Sequence, residues 1–329
     1  MIIRPRISKQ PKRRAWSREQ FIHERSIALG QTIATSTWDS YGSALNSYLE
    51  FCHLHHFDTD PTPETLSFYT VFMSHHIKPD SVDAYLSGIC HQLEPLFPSV
   101  RTHRNSSLVT RTLKGWKCLY GSPIIRKRAL TLGDLETMVR ELENCTAHDD
   151  KLFVALLLTG FFALMRLGEL TDADKVRLRN PRKTIRRNTV TIDGQSYSFF
   201  LPGHKGDRFF EGNTIIIPAN ERLYDPQRHF TSYLASRDEK FPLFFALWLR
   251  EDGTVPTRSW FVRRLRRFFD KSVAGQSMRA GGATLLAELG TAPHLIQATG
   301  RWKSESFQLY IRKHPVLLNA LILARRVDT

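Results

Sequence analysis

The chain has 329 residues, with 47 Lys and Arg against 32 Asp and Glu, and a formal net charge of +15. Hydrophobic residues make up 41% and charged residues 24%, which excludes a largely disordered or fibrous chain, and four cysteines exclude a disulfide scaffold and fit a reducing compartment. The cationic excess calls for a polyanionic partner, most commonly a phosphate backbone.

Residues 1–18 combine Pro5, Pro11 and seven Arg or Lys. They read as a basic flexible arm. Within it, Lys9 to Arg14 fits a nuclear address, a phosphate-binding tail or a merely solvated terminus. No signal-peptide apolar stretch follows Met1.

Residues 19–120 read as a helical bundle. Thr37 to Leu54 carries Trp38, Tyr41, Leu45, Tyr48, Leu49 and Cys52 at helical spacing, with Ser36 or Thr37 as cap. A second helix starts at Thr62-Pro63-Glu64. A third follows Pro79, with Ser81 as cap and Val82, Tyr85, Leu86 and Ile89 on its buried face. A fourth covers Ser107 to Trp116. Cys52 with its neighbouring histidines lacks the paired knuckles of a zinc site.

Residues 121–128 are polar, Pro-containing and basic, as in a linker. Beyond them, Thr131–Glu143 and Asp149–Met165 read as helices. The apolar run Leu152–Met165 is too short to span a bilayer, so a soluble, intracellular protein is expected. Three β runs follow, at Thr189–Ile192, Tyr197–Leu201 and Thr214–Ile217. Turns at Asp193-Gly194 and Gly203–Gly206 make them a small antiparallel sheet. From Trp260 the pattern is helical, broken at Gly275, Gly290 and Gly300.

Three separated segments hold cations in unusual settings. Arg166 ends the apolar helix and is followed by Glu169, a placement that also suits a helix C-terminal dipole partner. Lys205 sits in a glycine-flanked turn between strands, where it reaches a ligand or is a generic hairpin Lys. Arg279 lies in the first turn of a helix whose apolar side is Met278, Leu285, Leu286 and Leu289, with Gly281-Gly282 permitting close packing. Gly300, Arg301 and Trp302 then mark a break, and Ser304 caps a helix carrying Phe307, Tyr310 and Ile311.

In this order, Arg166, Lys205, Arg279, the Gly-Arg-Trp segment and Tyr310 resemble the tyrosine recombinase, or phage integrase, family. The variant looks most like the recombinases of eukaryotic Crypton- and DIRS-like mobile elements. The resemblance implies a mainly α fold with a small antiparallel β-sheet. It pairs an N-terminal helical core-binding (SAM-like) bundle over residues 19–120 with a tyrosine recombinase catalytic domain over 129–329, as a C-shaped clamp on duplex DNA.

The implied chemistry suits these residue types. Tyr310 attacks a phosphodiester and leaves a 3′-phosphotyrosyl link. Arg166 and Arg279 clamp the non-bridging oxygens, and Lys205 protonates the departing 5′-oxygen. Glu169 orients Arg166. Ungapped counting puts Arg301 at the family's His/Trp position, whereas residue type puts Trp302 there. Neither metal nor cofactor nor small-molecule substrate is implied.

One residue departs from the pattern. Gln276 stands where the family places His, three residues before Arg279; Gln donates a hydrogen bond but cannot accept the tyrosine proton. A DNA-binding protein without the chemistry is therefore the alternative reading.

Two Arg-rich runs are expected to grip phosphates. The first holds Arg177, Arg179, Arg182, Lys183, Arg186 and Arg187, the second Arg258, Arg263, Arg264, Arg266 and Arg267. The resemblance also implies a dimer to tetramer on DNA, with the terminal helix from Pro315 to Arg326 docking on a neighbour, and a nuclear location in a eukaryote. No P-loop, Rossmann fingerprint or Ser–His–Asp order is present.

Overall fold

The computed structural model describes residues 13–30, 33–123, 125–204, 207 and 210–303. Lys205, Tyr310, the cap at Ser304, the terminal helix 315–326 and most of the basic arm lie outside the described residues. The chain divides into two compact units, Met1–Ile124 and Ile125–Thr329.

The first unit is helical: α1 (Arg18–Gly30), α2 (Thr35–His55), α3 (Pro63–Ser74), α4 (Pro79–Leu93), α5 (Val100–Arg104) and α6 (Ser107–Tyr120). Its core joins Ala44, Tyr48, Phe51 and Cys52 of α2 to Leu66 and Tyr69, to Val82, Leu86 and Ile89, and to Val109 and Leu113. The buried stripe of α2 is rotated from the expected one, and Trp38 and Leu49 are exposed. The cause is a close approach between small residues. A Cβ on Gly88 of α4 would sit 2.9 Å from the Ala44 Cβ, so α2 turns its small side to α4.

Caps explain the boundaries. The Thr62 hydroxyl accepts the Thr65 N–H, with Pro63 opening α3 as expected. By contrast, Ser36, Thr37 and Ser81 do not cap. α2 begins at Thr35 behind Ala34, and α4 begins at Pro79, whose fixed φ starts the helix two residues before Ser81. Asp83 accepts from Arg104 at 2.6 Å and from Lys117 at 2.8 Å, tying α4 to α5 and α6.

The second unit opens with α7 (Leu132–Leu142), where Thr131 and Asp134 form a reciprocal capping box. α8 (His148–Phe162) is apolar all round and buried almost along its length, as a central helix should be. It stops at Phe162, earlier than expected, because Leu164 takes a left-handed conformation with φ 49°. Arg166 therefore does not end α8: it precedes the short helix α9 (Leu167–Leu170) as its N-cap.

The sheet has the order β1 (Thr191–Ile192), β2 (Ser196–Leu201), β3 (Asn213–Pro218), all antiparallel, with Leu201 opposite Asn213. Tyr197, Phe199 and Leu201 alternate inward, as do Ile215 and Ile217. The Tyr197 hydroxyl meets the Thr159 hydroxyl at 2.7 Å and locks the sheet to α8.

α10 (Pro226–Lys240) packs on α8 and has no counterpart among the expected elements. Asp225 caps it by accepting the N–H groups of Gln227 and Arg228. Its Arg237 is fully buried and donates to the carbonyls of Phe241, Phe244 and Ala246. α11 (Arg258–Leu265), α12 (Gln276–Glu288) and α13 (Pro293–Thr299) follow. Leu289, expected on the apolar side of α12, is exposed beyond its end. No helix among the described residues is long and apolar enough to cross a membrane.

Candidate active site

Packing of α12 against α8 places the first guanidinium. A Cβ on Gly281 would lie 2.1 Å from the Leu130 carbonyl oxygen, and one on Gly282 would lie 2.0 Å from that of Phe161. Only glycine permits that approach. It brings Arg279, buried in the first turn of α12, against the end of α8. The Arg279 fork donates to the carbonyl oxygens of Leu164 and Gly300. Its guanidinium carbon lies 3.9 Å from the centre of the Trp302 ring, a cation–π contact.

Leu164 and Gly300 lead directly to the second cluster. Two residues past Leu164, the Arg166 backbone N–H donates to Glu169 Oε2 at 3.0 Å, and its Nη1 donates to Oε1 at 2.8 Å. From the other side, Arg301 Nη2 donates to Glu169 Oε2 at 3.1 Å. One buried carboxylate thus joins two guanidinium groups. Burial pushes the Glu169 carboxyl up, but Arg301, the Arg166 N–H and the Arg166 guanidinium outweigh it and hold it below its ordinary value. Burial pushes the Arg301 guanidinium down, with Glu169 acting the other way.

The turn at Gly300 has its own steric logic. A Cβ there would fall 1.6 Å from the Trp302 ring, and Arg301 adopts a left-handed φ of 56°. A non-glycine residue in that region costs about 1–2 kcal/mol. The result points Arg301 at Glu169 and Trp302 at Arg279, so both residues are in the site.

Arg166, Glu169, Arg279, Arg301 and Trp302, expected from the sequence, are therefore brought together. Gln276 is the exposed first residue of α12, one helical turn before Arg279. His204 was missed. It is half-buried on the connection after β2 and feels the charges of Glu169, Arg301, Asp207 and Arg166. Burial lowers its imidazole pKa; Glu169 and Asp207 act upward, Arg301 and Arg166 downward.

The Arg-rich runs divide. Arg187 grips Asp238 at 2.7 Å, Arg264 pairs with Asp149 and Asp150, and Arg267 reaches Asp150 at 3.0 Å. Arg266 donates to the carbonyls of Asp270 and Val273. Arg182 lies over the Phe210 ring. These cations brace the unit. Arg177, Lys183, Arg186, Arg258 and Arg263 are exposed. A cavity of about 280 Å³ beside Glu169 is lined by Arg179, Lys183, Arg258 and Asp172, among others. Among the described residues, no group of three or more His, Cys, Asp or Glu is placed to hold a metal ion.

No protein-family model matches the sequence, and no curated protein matches it. Solved structures do match. One is XerH site-specific recombinase bound to palindromic difH substrate in a post-cleavage complex: 16% identity over 86% of this chain and 78% of that chain, TM-score 0.60. A second is a lambda integrase dimer bound to a COC′ core site, at 13% identity over 89% and 94%, TM-score 0.56. A third is the Tn1549 transposon integrase in complex with transposon right end DNA, at 15% identity over 82% and 86%, TM-score 0.51. The mainly helical chain with its small antiparallel sheet has the fold of these tyrosine recombinases.

Proposed function

We propose that this protein is a site-specific tyrosine recombinase that breaks and rejoins duplex DNA through a 3′-phosphotyrosyl intermediate. The observation that carries the reading is convergence in this fold: Arg279, buried against Leu164, Gly300 and Trp302, and Arg166, paired with Glu169, are far apart in sequence but joined through the Leu164–Arg166 and Gly300–Trp302 turns. Guanidinium forks suit a phosphorane, whose charge sits on non-bridging oxygens.

In this reading Tyr310 is the nucleophile and Lys205 protonates the leaving 5′-oxygen. Arg166, oriented by Glu169 and Arg301, acts with Arg279 on the phosphoryl oxygens. The bundle 19–120 and the exposed cations Arg177, Lys183, Arg186, Arg258 and Arg263 hold the duplex backbone. Residues 129–329 form the catalytic domain after a linker at 121–128. Strand exchange needs several protomers, so the chain assembles on DNA as a dimer to tetramer. A mobile-element enzyme acting in the nucleus is the biological setting proposed.

Gln276 favours a second reading, a DNA-binding protein that keeps the fold and has lost the chemistry. A nicked, randomised duplex library incubated with the full chain in the presence of chelator separates the two. The enzyme reading expects a covalent protein–DNA adduct that Tyr310→Phe abolishes while binding persists. Binding without any such adduct overturns it.

A further inference from the structure

The cavity beside Glu169 has walls tied together by the backbone. Residues 170–173 are stitched to residues 255–258: the Asp172 N–H donates to the Pro256 carbonyl at 2.9 Å, and the Arg258 N–H donates to that of Asp172 at 3.1 Å. Arg179 Nε donates to the Ala173 carbonyl at 3.0 Å and fixes the turn that carries it. Trp248 completes the lining. Its ring is 3% exposed, stacked on Tyr233 with centres 5.5 Å apart and set edge-on to Phe199 and Phe230. Packed in this way, the indole cannot turn away. Its N–H is buried and has no hydrogen-bond partner among the described residues. A buried donor of this kind calls for an acceptor.

The charges on the lining call for an anion. Arg179, Lys183 and Arg258 supply three cations. Two carboxylates border the same space, but Glu169 is taken up by Arg166 and Arg301, which leaves Asp172 alone against the three. Arg179 Nε lies 4.0 Å from it. The Asn180 side-chain oxygen accepts the Arg182 N–H, so its amide nitrogen is left to donate. A cationic excess with several separate donors suits a phosphate group. A phosphate monoester brings up to about two negative charges and three acceptor oxygens; a carboxylate brings one charge and two oxygens.

We propose that this cavity is a binding site for a phosphate group, recognised by the Trp248 indole N–H, Arg179 and Lys183, with Arg258 completing the charge. Its volume of about 280 Å³ lies at the small end of ligand cavities, which start near about 300 Å³. It therefore takes one phosphorylated group rather than an extended chain. That group belongs either to the backbone of a duplex or to a free phosphate monoester. The site needs no bond-breaking chemistry from Arg166 or Arg279, so it stands whether or not the chain cleaves DNA.

The test is calorimetric titration of the full chain with inorganic phosphate, against chloride at matched ionic strength. Saturable binding is expected. Trp248→Phe keeps an aromatic ring and every charge but removes the N–H, and is expected to weaken phosphate binding about tenfold. Lys183→Gln removes an exposed cation of the lining and is expected to weaken it by a similar factor. Arg140→Gln, on α7 and outside the lining, lowers the net charge equally and is expected to leave phosphate affinity unchanged. If Trp248→Phe melts far below wild type, the comparison of Lys183→Gln with Arg140→Gln decides alone. Duplex binding then identifies the source of the group. Trp248→Phe binding duplex as wild type does points to a free monoester; weakened duplex binding, with phosphate competing against the duplex, points to the backbone. The assignment is overturned if wild type shows no saturable phosphate binding, if neither Trp248→Phe nor Lys183→Gln weakens it, or if Arg140→Gln weakens it as much as Lys183→Gln.

Discussion

Gly282→Ala tests the contact on which the site depends. The added Cβ would stand 2.0 Å from the Phe161 carbonyl oxygen, whereas real Cβ contacts essentially never fall below 3.0 Å, so α8 and α12 must part by at least 1.0 Å. Both partners are helix backbone, so no side chain can swing aside. Overpacking of this kind costs about 1–3 kcal/mol, and a rigid clash belongs at the upper end. Replacing glycine inside a helix returns about 1 kcal/mol, which leaves a net loss of about 2 kcal/mol. For a unit of this size that lowers the melting temperature by about 4–8 °C. Differential scanning calorimetry of the full chain reads it as a shift in the second unit's transition. Gly115→Ala is the control. It lies in α6 with nothing within 4 Å of its Cβ, so it is expected to stabilise by about 0.5–1 kcal/mol. The same opening moves Arg279 relative to Leu164, and on the proposed recombinase reading displacement on that scale is expected to slow adduct formation about 10²-fold. A Gly282→Ala protein melting within a degree of wild type would refute the close-packing argument.

Two further substitutions probe the charged cluster. Arg279→Lys replaces a fork that donates to Leu164 and Gly300 by a single ammonium group. It is expected to destabilise by about 1–3 kcal/mol, the cost of an unsatisfied buried carbonyl, and to couple with Trp302→Ala by about 1–2 kcal/mol in a double-mutant cycle. Additive losses would mean that the ring contact contributes nothing. Glu169 has a folded-state pKa held below its ordinary 4.5, so its contribution is complete above that pH and is lost as pH falls through the lower folded value. Melting curves are therefore expected to fall less steeply below pH 4.5 in Glu169→Gln than in wild type; equal slopes would show that the carboxylate is not linked to folding.

The residues that were legible are those whose chemistry travels with type and spacing. Arg166, Arg279 and the Gly-Arg-Trp segment announce themselves by order along the chain, and alternation around Tyr197, Phe199 and Leu201 announces the sheet. What stayed hidden depends on partners distant in sequence. No local pattern says that Asp150 takes up Arg264 and Arg267, so a run that looks free for phosphates is partly internal. The stripe of α2 was misplaced because Gly88 and Ala44 meet across two helices. α10 was missed although Asp225-Pro226 is an ordinary start signal. Its inward face is sparse, and one of its buried members is Arg237. The choice between Arg301 and Trp302 assumed a single occupant; a left-handed Arg301 lets one turn present both.

The double tether of Arg279 bears on descent. Its fork closes the ends of α8 and α13 as well as facing Trp302, so a lineage without the proposed chemistry would still keep it for the stability of the fold. Retention of this arginine in a descendant is therefore no sign of surviving activity.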